Sequence, residues 1–226
     1  MSEIKLEIKL DAKLEATSEV KNESKERILI KSYELFCRYG VKSMTMDEIA
    51  REVGVSKKTV YQFFKDKDEL VLEVSKHHFI NDMKEIEEMF LQAINPIDEI
   101  MMLTKHMKKN LTNINPCLFF DLKKFYPKAF DSWKEHKNTF IMEHIKNNIN
   151  KGIELGFYRE DINVEILAIM RLEQIELGCN PEIFSPAKFK LVDVQTTFIN
   201  HFIRGIVTEK GYKMMEEYKT KMNELF

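Results

Sequence analysis

Between Lys57 and Gln62 the chain gathers groups suited to polyanion recognition: two ammonium groups (Lys57, Lys58), two hydroxyls (Thr59, Tyr61) and one amide (Gln62). Ammonium groups pair with phosphate oxygens, and hydroxyls, amides and lysines reach base edges. Val60, Phe63 and Phe64 interleave with them at helical spacing, so one short helix would present a polar face outward and hold an apolar face inward. A helix of that kind fits a major groove about 12 Å wide. Thr45 and Ser56 each stand where a helix begins. The free amides they cap, together with Lys67 further on, suit phosphates on either side of such a groove.

Rigid presentation of that face requires a scaffold, and the flanking residues supply one. Thr45 followed by Glu48 forms a capping box that opens a short helix, with Ile49, Ala50 and Val53 facing inward. Gly54 supplies the positive φ of a tight joint, and Ser56 caps the next helix. Two short helices joined this tightly read as a helix-turn-helix. Upstream, the spacing predicts a helix from Ser24 that buries Ile28, Tyr33, Leu35 and Phe36 and stops at Gly40. Downstream of Asp66 it predicts a long amphipathic helix to about Ala93, with Leu70, Val74, Phe79, Met83, Ile86 and Phe90 on the buried side.

Further punctuation (Asn95-Pro96, Asn115-Pro116, Tyr126-Pro127, Gly152, Gly156, Asn180-Pro181, Ser185-Pro186, Gly211) predicts roughly six more helices by breaker logic. Seven Gly and five Pro against 32% charged residues leave few breakers, and 44% hydrophobic residues are ample for a core, so the expected fold class is all-α. The first 22 residues alternate apolar and charged positions (Ile4, Leu6, Ile8, Leu10), a strand-like spacing without a hairpin partner. They read as a flexible tail. The expected organisation is therefore a tail over 1–22, a helix-turn-helix unit over 23–69 and a helical domain over 70–226.

Whole-chain charge is −2, which argues against a nucleic-acid protein until it is resolved locally. From Glu23 to Lys67 there are ten Lys or Arg against seven acids, a local excess of three positive charges. Cys37, Cys117 and Cys179 are odd in number and carry no CxxC, consistent with reduced thiols and a cytoplasmic protein. No signal peptide or membrane-spanning run is read. His77 and His78 follow Glu73, while His106, His136, His144 and His201 are scattered; no metal-ligand set forms, and exposed or capping roles are expected. No nucleophile elbow, phosphate loop or carboxylate pair supports an enzyme, and no cofactor is implied.

The stretch from Thr45 to Leu70 resembles the TetR family of regulators, on Thr45, Ile49, Ala50, Gly54, Val55, Ser56, Val60, Tyr61, Phe64, Lys67 and Leu70 in order. It departs at Lys58, where the family often has a small residue. The resemblance implies a C-terminal domain that dimerises through its last long helices and encloses a small-molecule pocket. Met102, Phe119, Phe120 and Trp133 are candidate pocket residues within an aromatic and Met-rich half, where ordinary core packing is the competing account. Dimer helices are expected near Asn163 to Leu177 and Phe189 to Val207, through Ile166, Ile169, Leu172 and Ile175, then Val194, Phe198, Phe202 and Ile206.

The function expected is a ligand-responsive, homodimeric repressor released from a palindromic double-stranded DNA operator by a small-molecule effector, with no membrane partner. The alternatives are a DNA-binding regulator controlled by a protein partner or acting as activator, and a helical enzyme or scaffold.

Overall fold

The structure is a computed structural model that describes residues 2–112, 114–115 and 117–223, with side chains from residue 21 to 218 and at 220 apart from 113 and 116. Eleven α-helices are found among them: α1 (Ser2–Tyr39), α2 (Met46–Val53), α3 (Lys57–Phe63), α4 (Lys67–Leu91), α5 (Pro96–Leu111), α6 (Leu118–Phe125), α7 (Pro127–His136), α8 (Met142–Glu154), α9 (Val164–Gly178), α10 (Leu191–Ile206) and α11 (Glu209–Asn223). A π-helical turn, Lys137–Ile141, joins α7 to α8. The described residues contain no strand, only an isolated bridge between Tyr158 and Val207. The all-α expectation holds.

The joints of the N-terminal head follow the caps read in the sequence. Thr45 and Glu48 exchange side-chain and backbone hydrogen bonds in a complete capping box, and Ser56 accepts from the Thr59 amide at 3.0 Å. Gly54 ends α2 at φ 78°, a left-handed conformation that costs other residues a Cβ clash. The start of α1 differs from expectation. Ser24 lies inside α1, not at its cap, and the strand-like alternation of 4–10 is carried by helix. The physical reason is compositional: Glu, Lys, Leu and Ala are strong helix formers, and extending an existing helix adds one hydrogen bond per residue fixed.

Two apolar cores form. The first unites Ile28 and Phe36 of α1, Ile49 of α2, Val60 of α3 and Leu70 and Val74 of α4 with Leu118, Leu122, Phe130 and Trp133 of α6 and α7. The second is built from Ile97, Ile149, Tyr158, Ile199, Phe202 and Met215, on α5, α8, α10, α11 and the loop after α8. Residue 70 thus belongs to the core under the helix-turn-helix, and α4 runs from α1 to pack on α7 and α5. Lys137, buried, ties the π-turn to α9 through Glu173 at 3.0 Å and Glu176 at 2.7 Å.

Candidate nucleic-acid interface and internal cavity

On α3 the anchoring side is fixed by Val60 and Phe64, at 0% and 1% exposure, so the opposite side is held out rigidly. Lys58, Tyr61 and Gln62 are exposed there. Lys57 is exposed too, but its ammonium pairs with Asp47 at 2.7 Å, a hydrogen-bonded contact that raises its pKa, and it lies 5.9 Å from the Tyr61 ring centre. Thr59 and Ser56 share a hydroxyl hydrogen bond of 2.8 Å at the helix start, and the Thr45 hydroxyl donates to Glu48 at 2.7 Å. Lys67 is half-buried. Its ammonium donates to the Lys42 carbonyl at 3.4 Å and lies 5.5 Å from the Tyr126 ring centre, and burial lowers its pKa. The eight residues singled out in the sequence therefore divide into an outward, exposed set (Lys58, Tyr61, Gln62), an ion-paired lysine (Lys57), three hydroxyls hydrogen-bonded at helix starts (Thr45, Ser56, Thr59) and a lysine engaged with the second half of the protein (Lys67).

Behind the head lies a cavity of about 260 Å³, walled by Tyr33 and Phe36 of α1, by Val41, by α4 to α9 and by Gln195, Ile199 and Phe202 of α10. Its lining is mostly apolar and aromatic. A run of rings forms one wall: Phe119 against Trp133 at 5.3 Å, Trp133 against Phe79 at 5.7 Å, Phe79 stacked on His136 at 5.0 Å, His136 on Phe140 at 5.3 Å, and Phe140 against His144 at 4.2 Å. Of the candidate pocket residues, Phe119 and Trp133 line this cavity. Met102 does not: the lining face of α5 recurs at Glu99, Leu103, His106 and Asn110, and Met102 is rotated off that face. Phe120 turns to a shallow outer groove beside Lys123 and Glu173.

Histidines contradict the expectation of exposed or capping roles. His78, His106, His136 and His144 all line the cavity. His106 Nε2 donates to the Asp82 carboxylate at 3.0 Å, a contact that raises the His106 pKa. Burial would raise the Asp82 carboxyl, but the His106 hydrogen bond and nearby histidines outweigh it and hold its pKa down. His78 meets the Tyr33 hydroxyl at 2.9 Å and stacks on its ring, and burial pushes its pKa down to about 4. No group of three metal-ligating side chains occurs among the described residues.

Arg171 was also missed. It lines the cavity from α9, inside an otherwise apolar run, Ile166 to Leu172. The available signal was its register: Arg171 shares a helical face with Ala168, Leu172 and Ile175, where a charge is out of place.

The expected dimer residues fall into two groups. Ile166 and Ile169 are 63% and 47% exposed, and Met170 and Leu177 extend the same exposed apolar strip of α9. Leu172, Val194, Phe202 and Ile206 are each at most 6% exposed and pack inside the protomer, so they cannot meet a second copy in this arrangement. Ile175 is half-buried against the first core, and Phe198 is half-buried with its ring edge-on to Phe184 at 5.5 Å. The reason is that α9 and α10 must cover the second core and the cavity before either can offer a face to solvent.

An outward-facing α3 on a rigid three-helix head, followed by a helical body with an internal cavity, defines a helix-turn-helix regulator. Residues 28–74 match the family model of bacterial regulatory proteins, tetR family. The HTH-type transcriptional regulator YhgD of Bacillus subtilis (strain 168) is 35% identical over 139 residues, 59% of this chain and 71% of YhgD. YvaF of the same strain, another HTH-type transcriptional regulator, is 25% identical over 190 residues, 82% of this chain and 96% of YvaF. A chain of Saccharomonospora viridis, described as a transcriptional regulator and solved in complex with choline, shares the fold with a TM-score of 0.67 at 19% identity, covering 83% of this chain and 100% of that one. The protein belongs to the TetR family of DNA-binding transcriptional regulators. Among the described residues no helix is long and apolar enough to cross a membrane.

Proposed function

We propose that this regulator is a cytoplasmic homodimeric repressor that leaves its operator when a small organic effector enters the cavity between α4 and α9. Two copies of α3 would sit in successive major grooves, about 34 Å apart or a multiple of that, on a near-palindromic site. Lys58, Tyr61 and Gln62 would read base edges; Lys57, Lys67 and the amides capped by Thr45 and Ser56 would hold phosphates. The exposed strip Ile166, Ile169 and Met170 of α9 would pack against its twofold mate.

One observation carries the effector half of this reading. Trp133 belongs at once to the core beneath α1 to α4 and to the cavity wall, so an occupant that displaces it disturbs the packing on which the head rests. A ligand shifts the equilibrium only through preference for one arrangement, and a close-packed shared core supplies that preference. The structural neighbour solved with choline supports a small organic molecule as a ligand class compatible with this fold.

The test is footprinting of the full chain on fragments of its own genome, repeated with fractions of a metabolite extract. A palindromic footprint lost on adding a fraction is the expected outcome. A footprint that no fraction alters, together with a co-purifying protein, replaces the effector with a protein partner; weak binding everywhere, steeply dependent on salt, removes specific DNA reading altogether.

A further inference from the structure

Resting on the sensor reading above, we infer that the effector is an organic anion whose acid group binds Arg171, with an apolar body against the rings of Phe79, Trp133 and Phe140. Arg171 is 4% exposed and lines the cavity, and no hydrogen bond or ion pair to it is found among the described residues. A buried charge is ordinarily paired, because leaving water costs it far more than a neutral group. The two acids that share the cavity are committed elsewhere. Asp82 faces His106 at 3.0 Å, and Glu99 holds Lys151 and Asn148, both at 2.7 Å. Arginine remains protonated here, since burial alone pushes its pKa only as far down as about 10.

Two more unpaired polar atoms line the same cavity, Trp133 Nε1 and His136 Nδ1. An indole N–H only donates, and so does a guanidinium. With both cavity carboxylates engaged, Arg171 and Trp133 Nε1 leave unpaired donors in a mostly apolar surround, which fits a ligand bearing oxygen acceptors and one negative charge. Volume bounds its size. An apolar cavity of about 150 Å³ holds benzene, so 260 Å³ suits a two-ring aromatic acid or a medium-chain carboxylate.

The experiment is calorimetric titration of the full chain with three probes: 2-naphthoate, the neutral and nearly isosteric 2-naphthamide, and choline as a cation. We expect naphthoate to bind roughly tenfold or more tightly than naphthamide, the margin of a charge-assisted hydrogen bond, and choline least of all. Arg171→Met should abolish the preference for acid over amide, and Arg171→Lys should retain part of it. Binding of naphthamide or choline at least as tight as naphthoate overturns the anion and leaves the sensor reading standing. An acid preference undiminished in a folded Arg171→Met variant overturns the assignment to Arg171. If none of the three is bound, the anion falls as well, and operator release by extract fractions decides the sensor reading separately.

Discussion

The Asp121 carboxylate, on the helix α6 that walls the cavity, accepts a hydrogen bond of 3.2 Å from the backbone amide of Lys42, in the loop that leads into the helix-turn-helix. The carbonyl of the same residue accepts from Lys67 at 3.4 Å. Both backbone groups of residue 42 are therefore held, one from the body and one from the start of α4. The neighbouring Gly40 leaves little room there, since a Cβ would stand 3.3 Å from the same Asp121 oxygen. A ligand that moves α6 moves this loop with it.

Removal of that link should be measurable. Asp121→Ala is expected to cost about 1.5–3 kcal/mol of stability, the scale of a hydrogen bond to a charged acceptor, in urea unfolding. It should also shrink the ratio of operator affinities with and without effector. A variant with wild-type stability and an unchanged ratio would show that the link carries no coupling.

On the DNA side, Tyr61→Ala is expected to weaken operator binding by about 1–3 kcal/mol, because Tyr61 is exposed on the outward side of α3. Lys57→Ala, on the same helix, should act through charge, lowering the slope of log affinity against log salt by about one, the mark of a phosphate contact. Fluorescence anisotropy with labelled operator at several salt concentrations separates the two. An unchanged affinity for both variants would remove α3 as the reading helix.

Self-association is tested on α9. Ile169→Asp places a charge in the exposed apolar strip beside Ile166 and Met170, and is expected to give monomers in light scattering while leaving the circular dichroism intact. Leu172→Asp, by contrast, should unfold the chain, because Leu172 is 2% exposed within the protomer. If Ile169→Asp remains dimeric, the interface lies on another face.

Arg171→Met should raise the melting temperature of the ligand-free protein. The guanidinium is buried without a counter-charge, and replacing even a buried ion pair by apolar side chains of similar volume is often neutral or stabilising by about 1–4 kcal/mol. Calorimetry that shows a lower melting temperature would mean the charge is compensated in solution.

Acid should destabilise the protein through His78. Its folded pKa, about 4, lies below its ordinary 6.5, so the unfolded chain binds more protons between these values and stability falls as pH drops from 6.5 to 4. The loss is on the order of 3 kcal/mol when complete. His136, also lowered by burial, adds with the same sign. His106, raised by Asp82, opposes it: its contribution is full below 6.5 and fades as pH rises through its folded value. Melting curves across pH 4 to 7 should flatten in His78→Gln; an equally steep acid limb in that variant would assign the effect to other groups.

Local features were legible because their causes are local. Thr45 with Glu48, Gly54 and Ser56 act on backbone groups within three residues, so cap chemistry alone placed the two short helices and the outward face of α3. Helical periodicity likewise placed Leu70 and Val74 in a core. What periodicity cannot supply is the identity of the partner surface. Leu172, Val194, Phe202 and Ile206 are apolar in register whether they face their own protomer or a second one, and only packing assigned them inward. The same holds for the cavity. His78, His106, His136 and Arg171 stand 28 to 93 residues apart in sequence, as far as His78 to Arg171, and no spacing rule joins them. The sequence determined the caps of the two short helices and the outward face of α3; the tertiary structure alone decided which polar side chains share one apolar chamber, because burial is a property of several helices meeting and not of any one of them.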